Sequence, residues 1–284
     1  MPEFPAFQTV MMTAGVVGTP LAALAFTGHF SVLIVLLGLA VGLFVGLTSI
    51  GGGSVLTPML ILLLRIPTMV AVATSVVFCF ITKGIASYQH MKQRTVDRAS
   101  AISLLWGSLP AAVAGWLTLL MFRKIDVLHG NVWVNREIGL ALVGLGACIL
   151  ARDNRWITRL RAVEGQNSAV VRLKLIVIGA IVGFMFSTTS IGSGSVLVIL
   201  LGVFAPLDEN HVVGTSVFYG FVISAFVSVL QFTSGNTDWH LLGSLLLGAI
   251  PGVVIGSKLA VRAPKKFLRI CFSCAAISAG WKMV

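Results

Sequence analysis

The chain has 284 residues, of which 57% are hydrophobic and only 10% are charged, and its mean hydropathy is +1.00. This composition excludes an ordinary soluble domain and predicts an all-α integral membrane protein. The net charge of +11 comes mainly from Lys and Arg residues between apolar runs. That distribution is typical of the excess of positive charge in the cytoplasmic loops of membrane proteins, and it argues against nucleic-acid binding.

Apolar segments suited to membrane helices follow one another along most of the chain. The first, 8–26, is interrupted by Gly18-Thr19-Pro20, and we interpret it as an extra span or an interfacial segment within an N-terminal unit, 1–29. Ten further segments are predicted at 30–50, 54–64, 68–90, 99–121, 137–151, 173–191, 195–205, 210–232, 239–261 and 266–283. They divide into repeat 1 at 30–151 and repeat 2 at 173–284, joined by a basic linker at 152–172.

Two nearly identical polar motifs interrupt the apolar runs. The first, Thr48-Ser49-Ile50-Gly51-Gly52-Gly53-Ser54, recurs 141 positions later as Thr189-Ser190-Ile191-Gly192-Ser193-Gly194-Ser195. The same offset aligns 38–115 with 179–256, and 26 of these 78 positions are identical. A polar break at membrane depth that occurs twice is typical of a transporter's binding site.

The charges of the loops predict how the two repeats are oriented. The stretch 152–174, which contains the linker, carries six Lys and Arg residues and the loop 262–269 carries four, so we expect both to be cytoplasmic. The loop around Ser234 carries none, whereas its counterpart from Lys92 to Arg98 carries three. Equivalent loops on opposite sides predict two five-segment inverted repeats, with glycine-broken helices at mid-membrane.

The glycine motifs form the predicted site. Their glycines interrupt a helix inside the membrane, and Ser54 and Ser195 are each placed to cap the short helix that follows. A helix N-terminus presents free N–H groups and positive dipole character, which favour an anion. The alternative is close helix packing through small residues.

We predict substrate contacts at the polar and glycine positions of both motifs, at the hydroxyl pairs that follow them, and at one intramembrane lysine. These residues are Thr48, Ser49, Gly51, Gly52, Gly53, Ser54, Thr74, Ser75, Lys83, Thr189, Ser190, Gly192, Ser193, Gly194, Ser195, Thr215 and Ser216. For Lys83 the alternative is that its ammonium reaches the membrane surface, and for the hydroxyl pairs that they bond to their own helix. His90 and its counterpart Gln231 are expected at the surface.

The stretch Gly51-Gly52-Gly53-Ser54-Val55-Leu56-Thr57-Pro58 resembles the signature of the sulfite exporter TauE/SafE family of bacterial membrane permeases. That signature is a glycine triplet followed by an apolar segment with proline, and it recurs in the second half. The resemblance covers about 38–283, and the second copy departs from the signature at Ser193 and Ile199. It implies transport of small sulfur-containing anions, such as sulfite, sulfoacetate or other organosulfonates, across the bacterial plasma membrane.

We therefore interpret the chain as a secondary transporter that works by alternating access and is neither an enzyme nor bound to a cofactor or metal. Its expected partners are the anion and the lipid bilayer, with a coupling proton or ion as a further candidate. Because no P-loop is present, we expect transport to be driven by a proton or ion gradient or by the gradient of the anion itself. A membrane-embedded enzyme acting on sulfur compounds is an alternative, but the five histidines, at 29, 90, 129, 211 and 240, lack metal-ligand spacing. A non-transporting membrane subunit, the other alternative, is expected to carry an extramembrane domain. The oligomeric state is left open.

Overall fold

A computed structural model describes residues 32–48, 52–125, 127–151, 168–205, 207–235, 237–260 and 265–283. The described part is helical and contains no strand. The predictions for 1–29, Ser49 and Gly51, and most of the linker, fall outside the described residues, as do the side chains of Thr48 and Ser195.

Each of the ten segments predicted for the two repeats corresponds to a helix of the described residues. The helices are α1 Val32–Thr48, α2 Gly53–Leu62, α3 Thr68–Lys92, α4 Arg98–Ile125, α5 Val127–Ala151, α6 Ser168–Thr189, α7 Ser195–Phe204, α8 Glu209–Thr233, α9 Trp239–Ala260 and α10 Lys265–Met283.

Two helix starts differ clearly from the sequence prediction. Helix α5 begins ten residues before the predicted 137, because polar residues that obscure its apolar pattern still fold as helix; Asn135 there accepts a hydrogen bond from Thr68 Oγ1 at 2.7 Å. Helix α6 begins at Ser168, so the last five residues of the predicted linker, 168–172, are helical. Both differences lengthen a helix beyond its apolar run.

Five of the described helices are long and apolar enough to cross a membrane. These stretches are Thr68–Lys92, Arg98–Met121, Ala169–Thr189, Asn210–Thr233 and Trp239–Gly256. Helices α1 and α2 contribute shorter apolar stretches, Val32–Val45 and Gly53–Leu62. The chain is a multi-pass helical membrane protein.

The two halves of the chain pack against each other through equivalent pairs of helices. Helix α1 packs closely on α9, and α6 packs closely on α4. In the first pair Gly38 lies against the backbone of Leu245, and in the second Gly179 lies against the backbone of Leu104. Each residue of one contact lies 141 positions from its counterpart in the other. The two contacts are therefore equivalent, because each joins the same position of one half to the same position of the other.

Helices α3 and α8 are counterparts that pack on each other at the centre of this arrangement. Phe80 of α3 and Phe221 of α8 occupy equivalent positions 141 apart, and their rings stack with centroids 5.4 Å apart and planes inclined by 15°. This stacking joins a residue of the first half to its own counterpart in the second half. The α3–α8 contact is consequently where residues of both repeats meet.

Candidate functional site

The second glycine motif lies in a short non-helical interval between α6 and α7, residues 190–194. Ser190 and Gly192 have positive φ angles of 63° and 122°. Glycine adopts such a backbone freely, whereas for serine it costs about 1–2 kcal/mol. The chain through this interval is buried: Thr189, Ser190 and Ser193 are each at most 3% exposed. The interval is therefore a polar segment held inside the protein.

The predicted serine caps are wrong. The N-cap residues of α2 and α7 are Gly52 and Gly194, and neither helix start has a side-chain cap hydrogen bond. Ser54 is the second residue of α2 and Ser195 the first residue of α7, so each lies within its helix and not at the cap position before it. A glycine cap supplies no side-chain oxygen for the first N–H groups of the helix, so these groups are left for other acceptors.

The two glycine motifs touch each other at Gly53. A Cβ placed on Gly53 would collide with the carbonyl oxygen of Ser190, lie 2.5 Å from Ser190 Oγ, and lie 3.1 Å from Cys79 Sγ. Only glycine allows the start of α2 to approach the second motif this closely. The structure thus brings Gly53, Ser190 and the buried thiol of Cys79 into one cluster.

The intramembrane lysine, Lys83, points into the second motif. Its ammonium donates hydrogen bonds to the carbonyl oxygen of Ser193 at 2.9 Å and to Ser193 Oγ at 2.6 Å. The lysine is only 7% exposed, so the alternative in which it reaches the membrane surface is wrong. Lys83 instead places a positive charge beside the predicted site.

No carboxylate is paired with Lys83 Nζ among the described residues, and the ionisable side chain that interacts with it is the Cys79 thiol, one turn earlier on α3. The ring of Phe186 lies 5.8 Å from Nζ, measured to its centroid, and Gly220 of α8 lies directly beside the ammonium. A buried cation without an acidic partner is costly inside a membrane and marks a functional position by default. An anionic ligand would supply the missing charge.

The hydroxyl pairs differ in their contacts. Thr215 Oγ1 accepts a hydrogen bond from the backbone N–H of Asp97 at 2.9 Å, and its counterpart Thr74 accepts one from Asp238 at 3.4 Å. Both threonines therefore join the two repeats at the starts of α4 and α9. Ser216 donates its hydroxyl to Val213 O of its own helix, which is the alternative to substrate contact predicted from the sequence for the hydroxyl pairs. Substrate binding by these four residues stays a prediction.

Several buried hydroxyls have no hydrogen-bond partner among the described residues. They include Thr57 and Ser75 in the first half and Ser187 in the second. Buried polar atoms are normally paired with protein, ordered water or a ligand. Thr57 and Ser187 lie within four residues of Gly53 and Ser190 along the chain, so their hydroxyls are open to water or a ligand near the motifs.

Other residues at the site were missed by sequence reasoning or assigned elsewhere. Gln231, expected at the surface, is only 3% exposed and its side-chain amide donates to Ser187 O at 3.4 Å. Cys79 lies four residues before Lys83 and thus on the same helix face, which is a signal the sequence contained. Gly220 is the counterpart of Cys79, so the repeat alignment also pointed to this face.

A cavity of about 580 Å³ lies between α1, α2, α5 and α10. Its walls are mostly apolar and include Phe44, Pro58 and Leu142, while Ser54 and Lys282 contribute polar groups. This volume is within the range of small-molecule pockets. Ser54 thus lines open space next to the first motif.

Comparison with known proteins places the chain in a family. Residues 34–283 match the family model described as Sulfite exporter TauE/SafE. The chain is 33% identical over 262 residues to the Bacillus subtilis (strain 168) protein named probable membrane transporter protein YjnA, covering 89% of this chain and all of the relative. It is 26% identical over 239 residues to probable membrane transporter protein YdhB of the same organism, covering 84% and 93% of the two chains. No solved structure matches the chain. The chain belongs to the sulfite exporter TauE/SafE family of membrane proteins.

Proposed function

We propose that the protein is a secondary transporter that moves small sulfur-containing anions, such as sulfite, sulfoacetate or other organosulfonates, across the bacterial plasma membrane. The observation that carries this proposal is Lys83: a buried ammonium that contacts the second glycine motif and is paired with no carboxylate among the described residues. The choice of sulfur is supported by the family name.

The proposed site lies where the two glycine motifs and α3 meet. Lys83 supplies the positive charge, and the uncapped starts of α2 and α7 supply backbone N–H groups for the anion's oxygens. Serine hydroxyls of the motifs add further donors. Sulfite and sulfonate groups carry several oxygens around one sulfur, so donors converging from different elements suit them.

The proposed mechanism is alternating access by two inverted repeats. Two observations support this architecture: the unequal number of Lys and Arg residues in equivalent loops, and the equivalent contacts between the halves, such as Thr215 with Asp97 and Thr74 with Asp238. Two related halves of opposite direction can adopt one conformation open to each side of the membrane. A site between them is then exposed to each side in turn, and a proton or ion gradient, or the gradient of the substrate itself, drives the flux.

Reconstitution of the purified chain into proteoliposomes tests this function. We expect saturable flux of radiolabelled sulfite or sulfoacetate, with mutual competition between the two anions. Protein-free liposomes are the control for leakage. A neutral solute of similar size is the control for charge, because Lys83 does not attract it and we expect no saturable flux of it. Absence of flux for every small sulfur-containing anion tried, with and without a pH or sodium gradient, would refute the proposal.

A further inference from the structure

Ser193 holds Lys83 with two groups at once. An ammonium has three N–H donors, and two of those on Lys83 are directed to the carbonyl and hydroxyl oxygens of this one residue. The hydroxyl contact, at 2.6 Å, is short for a bond from nitrogen to oxygen. Ser193 thereby provides two of the oxygen contacts that an anion would provide.

There is no free space beside the ammonium on the side of α8. A Cβ added to Gly220 would lie 2.6 Å from Lys83 Nζ and 2.6 Å from Ser193 O, so glycine is needed for these three groups to meet. Lys83 is also almost fully buried. An incoming anion can therefore take over the hydrogen bonds of the ammonium only if Ser193 moves away.

Ser193 belongs to the part of the motif best suited to such movement. It lies in the non-helical interval before α7, next to Gly192, whose φ of 122° only glycine adopts readily. Changes of φ and ψ in a few residues between helices are how hinges absorb motion. A displacement of Ser193 would move the start of α7 with it.

We propose that Ser193 is an internal counter-ligand of Lys83, which occupies the ammonium in the empty protein and is displaced by the transported anion. This inference rests on the proposed function and adds to it the event that links binding to movement. Anion binding breaks the contact between α3 and the second motif and releases α7. When the anion leaves, Ser193 closes the site again and satisfies the buried cation.

The contact between Lys83 of repeat 1 and Ser193 of repeat 2, called the lock below, is not reproduced at the equivalent pair of positions. The counterpart of Lys83 is Ser224, and the counterpart of Ser193 is Gly52, which lies against the ring of Phe78. Ser224 donates its hydroxyl to Phe221 O of its own helix. The equivalent pair, Ser224 and Gly52, therefore lacks both the cation of Lys83 and the hydroxyl of Ser193, and only the second motif responds to the anion in this way.

Competition with Ser193 lowers the apparent affinity for the anion, because only the fraction of protein with a free ammonium can bind. A hydrogen bond to a charged group contributes enough free energy to change an equilibrium about tenfold. The variant Ser193→Ala, which keeps the carbonyl contact, should thus bind sulfite about tenfold more tightly than the wild type. Lys83→Gln should bind it more weakly, and adding Ser193→Ala to Lys83→Gln should give no further gain.

Isothermal titration of sulfite into the purified full chain tests this, with sulfoacetate as a second probe. The matched control is Ser224→Ala, a buried serine of the facing helix whose hydroxyl donates to Phe221 O of its own helix, and it should bind like the wild type. Unchanged or weaker binding by Ser193→Ala, with the wild type binding normally, would overturn the counter-ligand while leaving the transport function intact.

A second measurement tests the Lys83–Ser193 lock in the absence of any anion. Its outcome does not depend on transport, so a failure of the lock can be told apart from a failure of the proposed function. Cys79 is 1% exposed and lies on the face of α3 that bears Lys83. In a chain whose other cysteines are replaced by alanine, Ser193→Ala should raise the rate at which a membrane-permeant maleimide alkylates Cys79, and Ser224→Ala should not. An unchanged rate in Ser193→Ala would overturn the lock even if the wild type transports sulfite.

Discussion

The contact between the two glycine motifs makes Gly53→Ala the most informative steric test of the site. The new Cβ would lie 2.5 Å from Ser190 Oγ and 3.1 Å from Cys79 Sγ, and it would meet the Ser190 carbonyl oxygen even more closely. Because that oxygen belongs to the backbone, α2 or the 190–194 interval must shift. Such overpacking costs about 1–3 kcal/mol, and the gain in helix propensity offsets at most about 1 kcal/mol of it.

The matched control is Gly202→Ala in α7, the other ten-residue helix, where an added Cβ meets no atom within 4 Å. We expect Gly53→Ala to lower the thermal unfolding midpoint of the detergent-solubilised protein by several degrees and Gly202→Ala to leave it unchanged or raise it slightly. Adding Ser190→Gly should partly restore Gly53→Ala, because it removes the hydroxyl and relieves the positive φ of 63°. Equal midpoints for Gly53→Ala and Gly202→Ala would refute the motif contact.

Two further predictions concern the hydrogen bonds between the repeats and the orientation of the repeats in the membrane. Thr215→Val should destabilise the protein by about 1 kcal/mol and Thr74→Val by less, because the hydrogen bond that Asp97 donates to Thr215 measures 2.9 Å and its counterpart at Thr74 measures 3.4 Å. Thermal unfolding of both variants checks this prediction. A larger effect at Thr74 would contradict it. Cysteines introduced at the exposed residues Gln93 and Thr233, at equivalent loops, should react with an impermeant maleimide from opposite sides of the membrane. Labelling of both from the same side of intact cells would rule out the inverted repeat.

The helices of the two repeats were predictable from the sequence because apolar runs bounded by charges set where a chain enters and leaves a membrane. The prediction missed the early start of α5, where Asn135 is paired with Thr68 and its polarity therefore does not end the helix. It also misplaced the caps: serine is a strong local cap signal, but the cap positions are occupied by Gly52 and Gly194. At α2 the next residue, Gly53, lies too close to Ser190 to carry a side chain, which the sequence could not show.

The contacts between helices were less predictable from the sequence than the positions of the helices. Helices in a bilayer can be apolar on every side, so periodicity does not indicate which face meets which neighbour. The sequence left Lys83 between a site role and the membrane surface, and only tertiary packing places its ammonium on Ser193. The repeat offset of 141 contains further information on these contacts, since it pairs Cys79 with Gly220 and Lys83 with Ser224.

The central claim is that the buried ammonium of Lys83 attracts the transported anion, and the concentration dependence of sulfite flux in Lys83→Gln proteoliposomes tests it most directly. The matched control is Lys92→Gln, an exposed lysine at the end of the same helix. At equal protein insertion, loss of charge-assisted hydrogen bonds predicts that Lys83→Gln lowers the initial rate at low sulfite by about ten- to hundredfold, whereas Lys92→Gln stays close to the wild type. Wild-type flux from a folded Lys83→Gln protein would contradict the account.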